Sequence, residues 1–364
     1  MQIGCTKKLL RALHITVSDA TEDNDLFCWS ADLITYKEKN AVVVVNDSNR
    51  FGFVLYDLQA DDLKGLKALI QAGIRRCLQH EGIREDIIDA YFGQSPEWVL
   101  TKTRGRVFTA RLNKACKGAR FFDDRFDTSE LYQTDLSKTI NGELFKPAKD
   151  ADYAHPYELL IRDFKGLFGE KIIASDAYDL LISLDLGRSR ATRRLLVPTD
   201  VTFKELHEII LTVFGWLDWK WHSFKLFDRR GRCIVTIIGE FEKLSERRQV
   251  CPILRDKDVR FDAYIKKAKT IIYTYDYSDD WTHDITVLGI VSDYDKNYPT
   301  CIMAAGNHPP EGVGGIAGYE AFLKILKNPD HPEYQTMKNF NEAPWYWDFD
   351  MEEVNRRLRH VLGR

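Results

Sequence analysis

The chain has 364 residues, of which 44% are hydrophobic and 29% are charged, a composition typical of a soluble globular protein. Its formal net charge of −3 excludes a general attraction to nucleic acid or to an anionic membrane surface. A chain of this length is too long for one ordinary core, so we expect two domains. No apolar run is long enough to span a bilayer, and the N-terminal residues lack the apolar segment of a signal peptide. We therefore expect a cytoplasmic protein with no membrane partner.

The cysteine pattern predicts reduced thiols. The chain has seven cysteines, an odd number, and no two of them form a CxxC motif. Neither a disulfide framework nor a zinc ribbon is therefore indicated. We expect all seven to be mostly structural: Cys5, Cys28, Cys77, Cys116, Cys233, Cys251 and Cys301.

Residues 1–120 predict a small α+β domain. Ala41–Val45 is typical of a strand that is buried on both faces. Helical patterns follow it, among them an apolar stripe that runs up to Gly82, a residue placed to end a helix.

Short segments spread over residues 1–118 carry a family resemblance: Cys5-Thr6-Lys7-Lys8-Leu9-Leu10, Trp29 with Asp32-Leu33, Val44-Val45-Asn46-Asp47, Thr101-Lys102-Thr103 and Arg111-Leu112-Asn113-Lys114. In these segments the chain resembles a bacterial domain family of unknown function that opens with a CTKKLL signature. The resemblance implies no activity, because the family has none established.

Two features of this half have both a functional and a structural interpretation. Cys5 is followed by Lys7 and Lys8, whose ammonium groups would lower the pKa of a reactive thiol, but a free cysteine is more commonly a core residue. Arg111 and Lys114 extend a locally basic stretch that suits phosphate contacts, although a solvated helix face is the more common explanation. We favour the structural interpretation of both features.

Residues 121–176 are predicted to connect the two domains. The segment has weak periodicity and mixed charge, but aromatic residues persist in it, so we do not expect it to be disordered. We expect it to pack on one of the domains, with a short helix at Tyr157–Phe164.

Residues 177–364 predict a second domain, an α/β roll in which helices pack on one face of an antiparallel sheet. Residues 180–186 alternate in the period of a strand, and Arg193–Val197 supplies a partner strand. Thr202 and Glu205 form a capping box at the start of a helix.

The second half carries a more specific resemblance, over about 180 residues in the family's own order. The matching residues are Arg193-Arg194-Leu195-Leu196-Val197-Pro198, Leu206-His207, Phe214-Gly215-Trp216, His222, Phe224, Tyr275-Asp276-Tyr277, Asp280-Trp281-Thr282-His283, Tyr298-Pro299-Thr300-Cys301, Pro309-Pro310-Glu311, Gly314-Gly315, Gly318-Tyr319 and Asn355. With these the chain resembles the plasmid pRiA4b ORF-3-like family, proteins of unassigned function. The resemblance implies an α/β roll and a cytosolic location, and it carries no catalytic residues.

Three residues depart from the family's usual pattern. Ser278 stands where glycine is usual, Gly312 where aspartate is usual, and Lys220 where a histidine is common. If the family has an acid-dependent site in this region, the departures predict that it is altered in this chain.

The stretch Tyr273–Gly318 crowds aromatic, acidic and imidazole side chains together. Imidazole and carboxylate groups suit divalent transition metals and acid–base chemistry, but no spacing here matches a metal-binding motif. The candidate ligand-binding residues of this stretch and its surroundings are Asp276, Asp280, Trp281, His283, Glu311, Gly314, Gly315, His222 and Trp216.

A structural interpretation of the same residues is favoured over a metal or acid–base cluster. A three-residue loop at Ser278–Asp280 predicts Tyr277 opposite Trp281 and Tyr275 opposite His283 in a β-hairpin. The aromatic residues then pack across the strands, and the acidic residues shape the turn.

Three functional hypotheses follow, and none of them names a cofactor. The leading one is a non-enzymatic binding or interaction module, whose acidic hairpin and Pro-Pro-Glu/Gly loop recognise a protein partner or a small ligand. The second is a metal-dependent hydrolase-like enzyme that uses His283, Asp280 and Glu311. The third is a nucleic-acid-binding protein linked to mobile elements, which the net charge disfavours. It would use Arg188, Arg190, Arg193 and Arg194 with Trp216, Trp219 and Trp221.

Overall fold

A computed structural model describes residues 1–15, 17, 22–122, 125–147, 151–239, 251–339 and 349–362. The chain divides into two compact units, Met1–Ala174 and Ser175–Leu362. The finer sequence-based division, with domains at 1–120 and 177–364 and a separate connecting segment at 121–176, stays a prediction. In the described part of the chain, no helix has both the length and the apolar character that a membrane crossing requires.

The first unit combines a mixed sheet with helices. Its described strands are β1 (Gln2–Cys5), β2 (Cys28–Tyr36), β3 (Lys39–Asn46), β4 (Gly52–Tyr56) and β5 (Val99–Lys102). They lie in the order β4-β3-β2-β1-β5. Strand β1 runs parallel to both of its neighbours, and the other pairs are antiparallel. The described helices are α1 (Lys7–Leu13), α2 (Ala60–Lys64), α3 (Leu66–His80), α4 (Glu85–Gln94), α5 (Arg106–Phe121), α6 (Thr134–Asn141) and α7 (Pro156–Phe168).

The sheet of the first unit is covered on both faces. Along β3, Val42 and Val44 belong to one apolar cluster, which includes residues of α3, α4 and α7. Val43 and Val45 belong to another, which includes residues of α5 and α6. Because side chains alternate along a strand, this confirms that the valine run is buried on both faces.

The second unit is built on one long sheet. Its described strands are β6 (Ser175–Asp185), β7 (Arg190–Pro198), β8 (His222–Phe227), β9 (Cys233–Ile238), β10 (Ile253–Arg255), β11 (Thr270–Tyr275), β12 (Trp281–Tyr294) and β13 (Thr300–Ala305). They lie in the order β10-β9-β8-β11-β12-β6-β7-β13, antiparallel except for the parallel pair β9–β10. The described helices are α8 (Phe203–Phe214), α9 (Asp262–Ile265), α10 (Gly315–Leu326), α11 (Tyr334–Asn339) and α12 (Met351–Leu358). The α+β class predicted for both halves is confirmed.

Helix α8 is fixed at its start by the predicted capping box. The Thr202 backbone N–H donates to Glu205 Oε2 at 2.8 Å, and the Glu205 N–H donates to Thr202 Oγ1 at 3.1 Å. The helix ends at Gly215, which is left-handed at φ 68°. Between these ends it buries Phe203 and Phe214 in the core that covers the sheet, and it carries His207 into the same buried layer.

The prediction that all cysteines are reduced is wrong for one pair. Cys233 and Cys251 form a disulfide with a Cα–Cα distance of 5.8 Å. Cys233 lies in β9 and Cys251 comes just before β10, so the parallel pairing of these strands brings the two together, and sequence spacing gives no sign of it. The other five cysteines are free. Burial raises the pKa of the Cys5 thiol to about 12, which favours the structural interpretation of this residue.

Candidate functional site

The hairpin predicted to carry the site is present, with a different register. Tyr275 pairs with Trp281, and Tyr273 pairs with His283. The predicted pairing of Tyr277 with Trp281 and of Tyr275 with His283 is wrong by two residues. A shift of two preserves which residues share a face, so Tyr275, Trp281 and His283 still lie on one side of the sheet, where all three are buried.

The register differs because the loop runs from Asp276 to Asp280 and is therefore longer than predicted. Asp276 and Asp280 both adopt left-handed conformations, with φ of 54° and 56°. The Asp276 carboxylate accepts hydrogen bonds from the backbone N–H of Ser278 at 3.0 Å and from its hydroxyl, and it lies 3.3 Å from Lys220 Nζ. Two of the three departures from the family pattern, Ser278 and Lys220, therefore both contact Asp276.

Glu311 joins the Pro-Pro-Glu loop to the hairpin. One oxygen of its carboxylate accepts a hydrogen bond from the Tyr275 hydroxyl, and the other accepts from the Leu217 backbone N–H at 3.0 Å. Trp216 lies beside this contact. Its ring stacks on Tyr275 with centroids 5.1 Å apart, and its indole N–H donates to the Pro309 carbonyl at 3.1 Å. The structure therefore brings Glu311 and Trp216 together around Tyr275.

The glycines of the same loop contact the hairpin through Asp279. The Gly314 N–H donates to Asp279 Oδ2 at 3.1 Å. A Cβ at Gly315 would lie 2.8 Å from the Asp279 carbonyl oxygen. Gly314 and Gly315, both predicted from the sequence, therefore lie where the loop contacts the hairpin closely.

His283 lies deep in the core. Its ring packs against Phe214, Trp216 and Tyr273, and burial lowers its pKa to about 3. Its Nδ1 lies 3.1 Å from the Trp281 carbonyl, while Nε2 has no hydrogen-bond partner among the described residues.

Hydrogen bonding in the described part of the chain does not support the hydrolase-like set of His283, Asp280 and Glu311. Within the ranges that the structure describes, no hydrogen bond links His283 to either carboxylate. Burial among aromatic rings also keeps the His283 imidazole neutral.

The arginine-rich hairpin offers few cations for a nucleic acid. Three of its four arginines pair with carboxylates: Arg188 with Glu320 at 3.4 Å, Arg190 with Asp284 at 3.3 Å and Arg194 with Asp179 at 2.6 Å. Arg193 is fully buried, and its guanidinium donates to the backbone carbonyls of Val213, Thr192, Ala305 and Gly306. These contacts favour a structural role for the hairpin.

A different cluster, built on His207 and His222, unites residues from four elements. His207 comes from α8, His222 from the start of β8, Asp218 from the loop between them, and Asp256 from a single 3-10 turn after β10. The two imidazole rings stack at a centroid distance of 3.5 Å and an interplanar angle of 10°. One potential ligand atom from each of His207, Asp218 and His222 lies within 4.8 Å of the others.

Hydrogen bonds hold both imidazoles of the cluster in place. His207 Nε2 lies 2.7 Å from Asp218 Oδ1, and its Nδ1 lies 2.8 Å from the Tyr273 hydroxyl. His222 Nε2 lies 3.0 Å from Asp256 Oδ2. Burial lowers the pKa of His207 to about 4. Burial alone would raise the pKa of Asp218, but the hydrogen bond from His207 lowers it, so at neutral pH the imidazole is neutral and the carboxylate is charged.

Sequence reasoning named His222 in this cluster and missed its partners. The positions of His207, Asp218 and His222 follow no metal-binding spacing, and Asp256 lies 34 residues after His222. The available signal was a histidine on the apolar face of α8, between Phe203 and Ile210, which are both buried. Such a residue, once buried, needs polar partners.

The loop that carries Asp218 also presents aromatic side chains to solvent. Trp219 is 77% exposed and Trp221 is 55% exposed. Trp221 meets the half-exposed Tyr277 of the hairpin edge-on, with centroids 6.4 Å apart. Since large aromatic side chains in solvent often mark binding surfaces, these residues extend the candidate site outward from the histidines.

The fold and the site define a two-unit α+β protein with a polar histidine–aspartate cluster beneath an exposed aromatic loop. The chain belongs to the plasmid pRiA4b ORF-3-like protein family, whose model matches residues 176–357. Residues 2–159 match a second model, a domain of unknown function designated DUF6933. Both matches confirm the two-part resemblance seen in the sequence.

Two individual relatives each match a little under half of the chain. An uncharacterized protein, y4hQ, from Sinorhizobium fredii is 26% identical over 155 residues, which are 43% of this chain and 75% of that protein. The crystal structure of a protein of unknown function, MM3350 from Methanosarcina mazei Go1, matches with 28% identity and a TM-score of 0.41. That match covers 49% of this chain and 93% of the other. These descriptions state no activity, so function must be argued from the site.

Proposed function

We propose that the second unit is a binding module that holds a divalent transition-metal ion through His207, Asp218 and His222. The observation that carries this proposal is the convergence of their ligand atoms within 4.8 Å. Two imidazoles and one carboxylate are a donor set suited to zinc and to related divalent ions.

The surroundings of the three residues support metal binding. The Tyr273 hydroxyl holds His207 from the side opposite Asp218, and the Asp256 carboxylate holds His222. Hydrogen bonds of this kind orient metal-bound imidazoles and fix their tautomers. His207 can bind an ion through Nε2 only when the ring proton is on Nδ1 instead. The Nδ1–H group then donates a hydrogen bond to the Tyr273 oxygen.

The exposure of the site supports a ligand-binding role for the ion. His207 and His222 are buried, whereas Asp218 is half-exposed, so solvent reaches the site from one side. Three protein ligands leave coordination positions for water or for a donor atom of a ligand. The exposed Trp219 and Trp221 flank this side, and Lys220 contacts the acidic hairpin. The hairpin surface predicted from the sequence thereby becomes the outer part of the proposed site. We also propose that the protein is cytoplasmic, as the sequence predicts.

Titration of chelator-treated protein with zinc tests the proposal, and Asp218→Asn and Asp280→Asn form a matched pair of variants. Both aspartates adopt left-handed conformations, with φ of 55° and 56°, which asparagine tolerates well. We expect one ion per wild-type chain, an affinity at least about tenfold weaker in Asp218→Asn, and little change in Asp280→Asn. Isothermal titration calorimetry gives the affinity, and the visible absorption of bound cobalt reports the ligand geometry.

Two results would contradict the proposal. One is a wild-type protein that takes up no stoichiometric ion. The other is a loss of affinity in Asp280→Asn with none in Asp218→Asn, which would return the metal to the hairpin set predicted from the sequence.

A further inference from the structure

A small cavity in the first unit has three cationic side chains in its lining and a single acidic one, Glu143. Arg50, Arg111 and Lys114 line the cavity, together with Phe145 and Pro156. Its volume is about 50 Å³. Since a single water needs roughly 10–15 Å³ measured in this way, the cavity has room for several waters or for one phosphate-sized group.

Each of the three cations lacks a carboxylate partner within the described ranges. The guanidinium of Arg50 lies over the Phe145 ring at 4.0 Å from its centroid. Burial lowers the pKa of Arg50, and the like charge of Arg111 lowers it further. Arg111 donates a hydrogen bond to the Asp47 carbonyl, which is a neutral acceptor, and its buried Nε has no hydrogen-bond partner among the described residues. Lys114 is exposed, and no described carboxylate forms an ion pair with it.

Asp47, whose backbone carbonyl contacts Arg111, has a carboxylate that is already engaged elsewhere. The buried Asp47 carboxylate accepts a hydrogen bond from the Ser30 hydroxyl at 2.6 Å and one from Arg104 Nε at 3.3 Å. Arg104 also pairs with Asp25. Glu143 lines the cavity, and within the described ranges no ion pair joins it to any of the three cations. Three cations against one carboxylate leave the cavity an excess of positive charge, and the Arg111 Nε–H has no acceptor among the described residues.

We infer that this cavity of the first unit binds the phosphate group of a small molecule, with Arg50, Arg111 and Lys114 as its ligands. Guanidinium groups match the oxygens of a phosphate in pairs, and lysine adds a point charge. A dianion offsets the repulsion between Arg50 and Arg111 and supplies the acceptor that Arg111 Nε lacks. The inference is independent of the proposed metal site, because it concerns residues of the first unit alone.

The test measures binding of inorganic phosphate and of a nucleoside monophosphate to the full chain by phosphorus NMR titration. Lys114→Met and Lys117→Met are the matched variants, since both lysines are exposed on α5 but only Lys114 lines the cavity. Arg50→Gln removes one guanidinium. We expect phosphate to bind about tenfold more weakly to Arg50→Gln, severalfold more weakly to Lys114→Met, and unchanged to Lys117→Met.

Thermal unfolding confirms that each variant is folded. The relative affinities for the two ligands then distinguish a phosphate ester from free phosphate. Tighter binding of the monophosphate than of inorganic phosphate, with the same dependence on Lys114, would identify a phosphate ester as the ligand; the reverse order would identify the free ion. Absence of phosphate binding to the wild-type chain would overturn the inference. Equal weakening by Lys114→Met and Lys117→Met would do so as well, because general surface charge would then explain the binding.

Discussion

Replacing Gly315 with alanine should destabilise the second unit more than replacing Gly312. Both glycines are left-handed, with φ of 66° and 74°, so alanine costs about 1–2 kcal/mol of backbone energy at either position. At Gly312 the added Cβ meets nothing within 4 Å, whereas at Gly315 it lies 2.8 Å from the Asp279 carbonyl oxygen. Overpacking of this kind adds about 1–3 kcal/mol. The difference between the two variants therefore isolates the close approach of the glycine loop to the hairpin.

Urea unfolding followed by tryptophan fluorescence gives the two free energies of unfolding. The comparison also separates a structural role of the loop from a role in binding an anion through its backbone N–H groups. If the loop chiefly bound an anion, Gly315→Ala would weaken anion binding. It would then lower the free energy of unfolding no more than Gly312→Ala does. Equal destabilisation by the two substitutions would show that the Asp279 carbonyl moves aside, and it would contradict the expected role of Gly315 in holding hairpin and loop together.

Features of the fold that depend on neighbouring residues in the chain were predictable from the sequence. The capping box of Thr202 and Glu205 needs only a spacing of three residues and a following apolar helix, and the structure shows both of its hydrogen bonds. The strand at residues 180–186 was evident from its alternation, because every second side chain there faces one core: Leu180, Ile182, Leu184 and Leu186. These signals are local, so no knowledge of the tertiary arrangement was required.

The register of the hairpin was not predictable, because a backbone conformation decides it. Asp276 and Asp280 enter the left-handed region, and the Asp280 N–H donates to the Asp276 carbonyl at 2.6 Å. This closes a loop longer than the expected one. Asparagine, aspartate and glycine favour such conformations, but nothing in the acidic run Ser278–Asp280 shows which residue adopts them.

The candidate metal centre was not predictable for a different reason. Its three ligands and Asp256 meet only after α8 packs on the sheet and the 3-10 turn at Asp256–Asp258 reaches β8. A carboxylate in a loop and a histidine in an amphipathic helix each have an ordinary explanation when considered alone. The same holds for Arg50, whose proximity to Arg111 depends on the packing of α5 against the sheet.

The buried histidines predict that the second unit loses stability in mild acid. Burial lowers the pKa of His283 to about 3 and that of His308 also to about 3, from an ordinary value of 6.5. Above pH 6.5 these groups are neutral in the folded and the unfolded chain. Below it the unfolded chain takes up protons that the folded chain refuses, so stability falls as the pH decreases from about 6.5 towards about 3. Each such histidine contributes a loss of about 1.4 kcal/mol per pH unit.

His283→Phe isolates the contribution of a single residue. Phenylalanine keeps a ring between Phe214, Trp216 and Tyr273, and it removes the group that titrates. We measure the slope of the unfolding free energy against pH between pH 6.5 and 4.5. We expect it to be smaller than in the wild type by the contribution of one proton, about 1.4 kcal/mol per pH unit.

Carboxylates titrate alike in the wild type and in His283→Phe, so their contribution cancels when the two slopes are compared. An unchanged slope in His283→Phe would mean that His283 gains a proton in the folded chain. Its Nε2, which has no acceptor among the described residues, would then have to reach water. That result would show that the core beneath the hairpin opens to solvent, and it would revive His283 as a residue with access to a ligand.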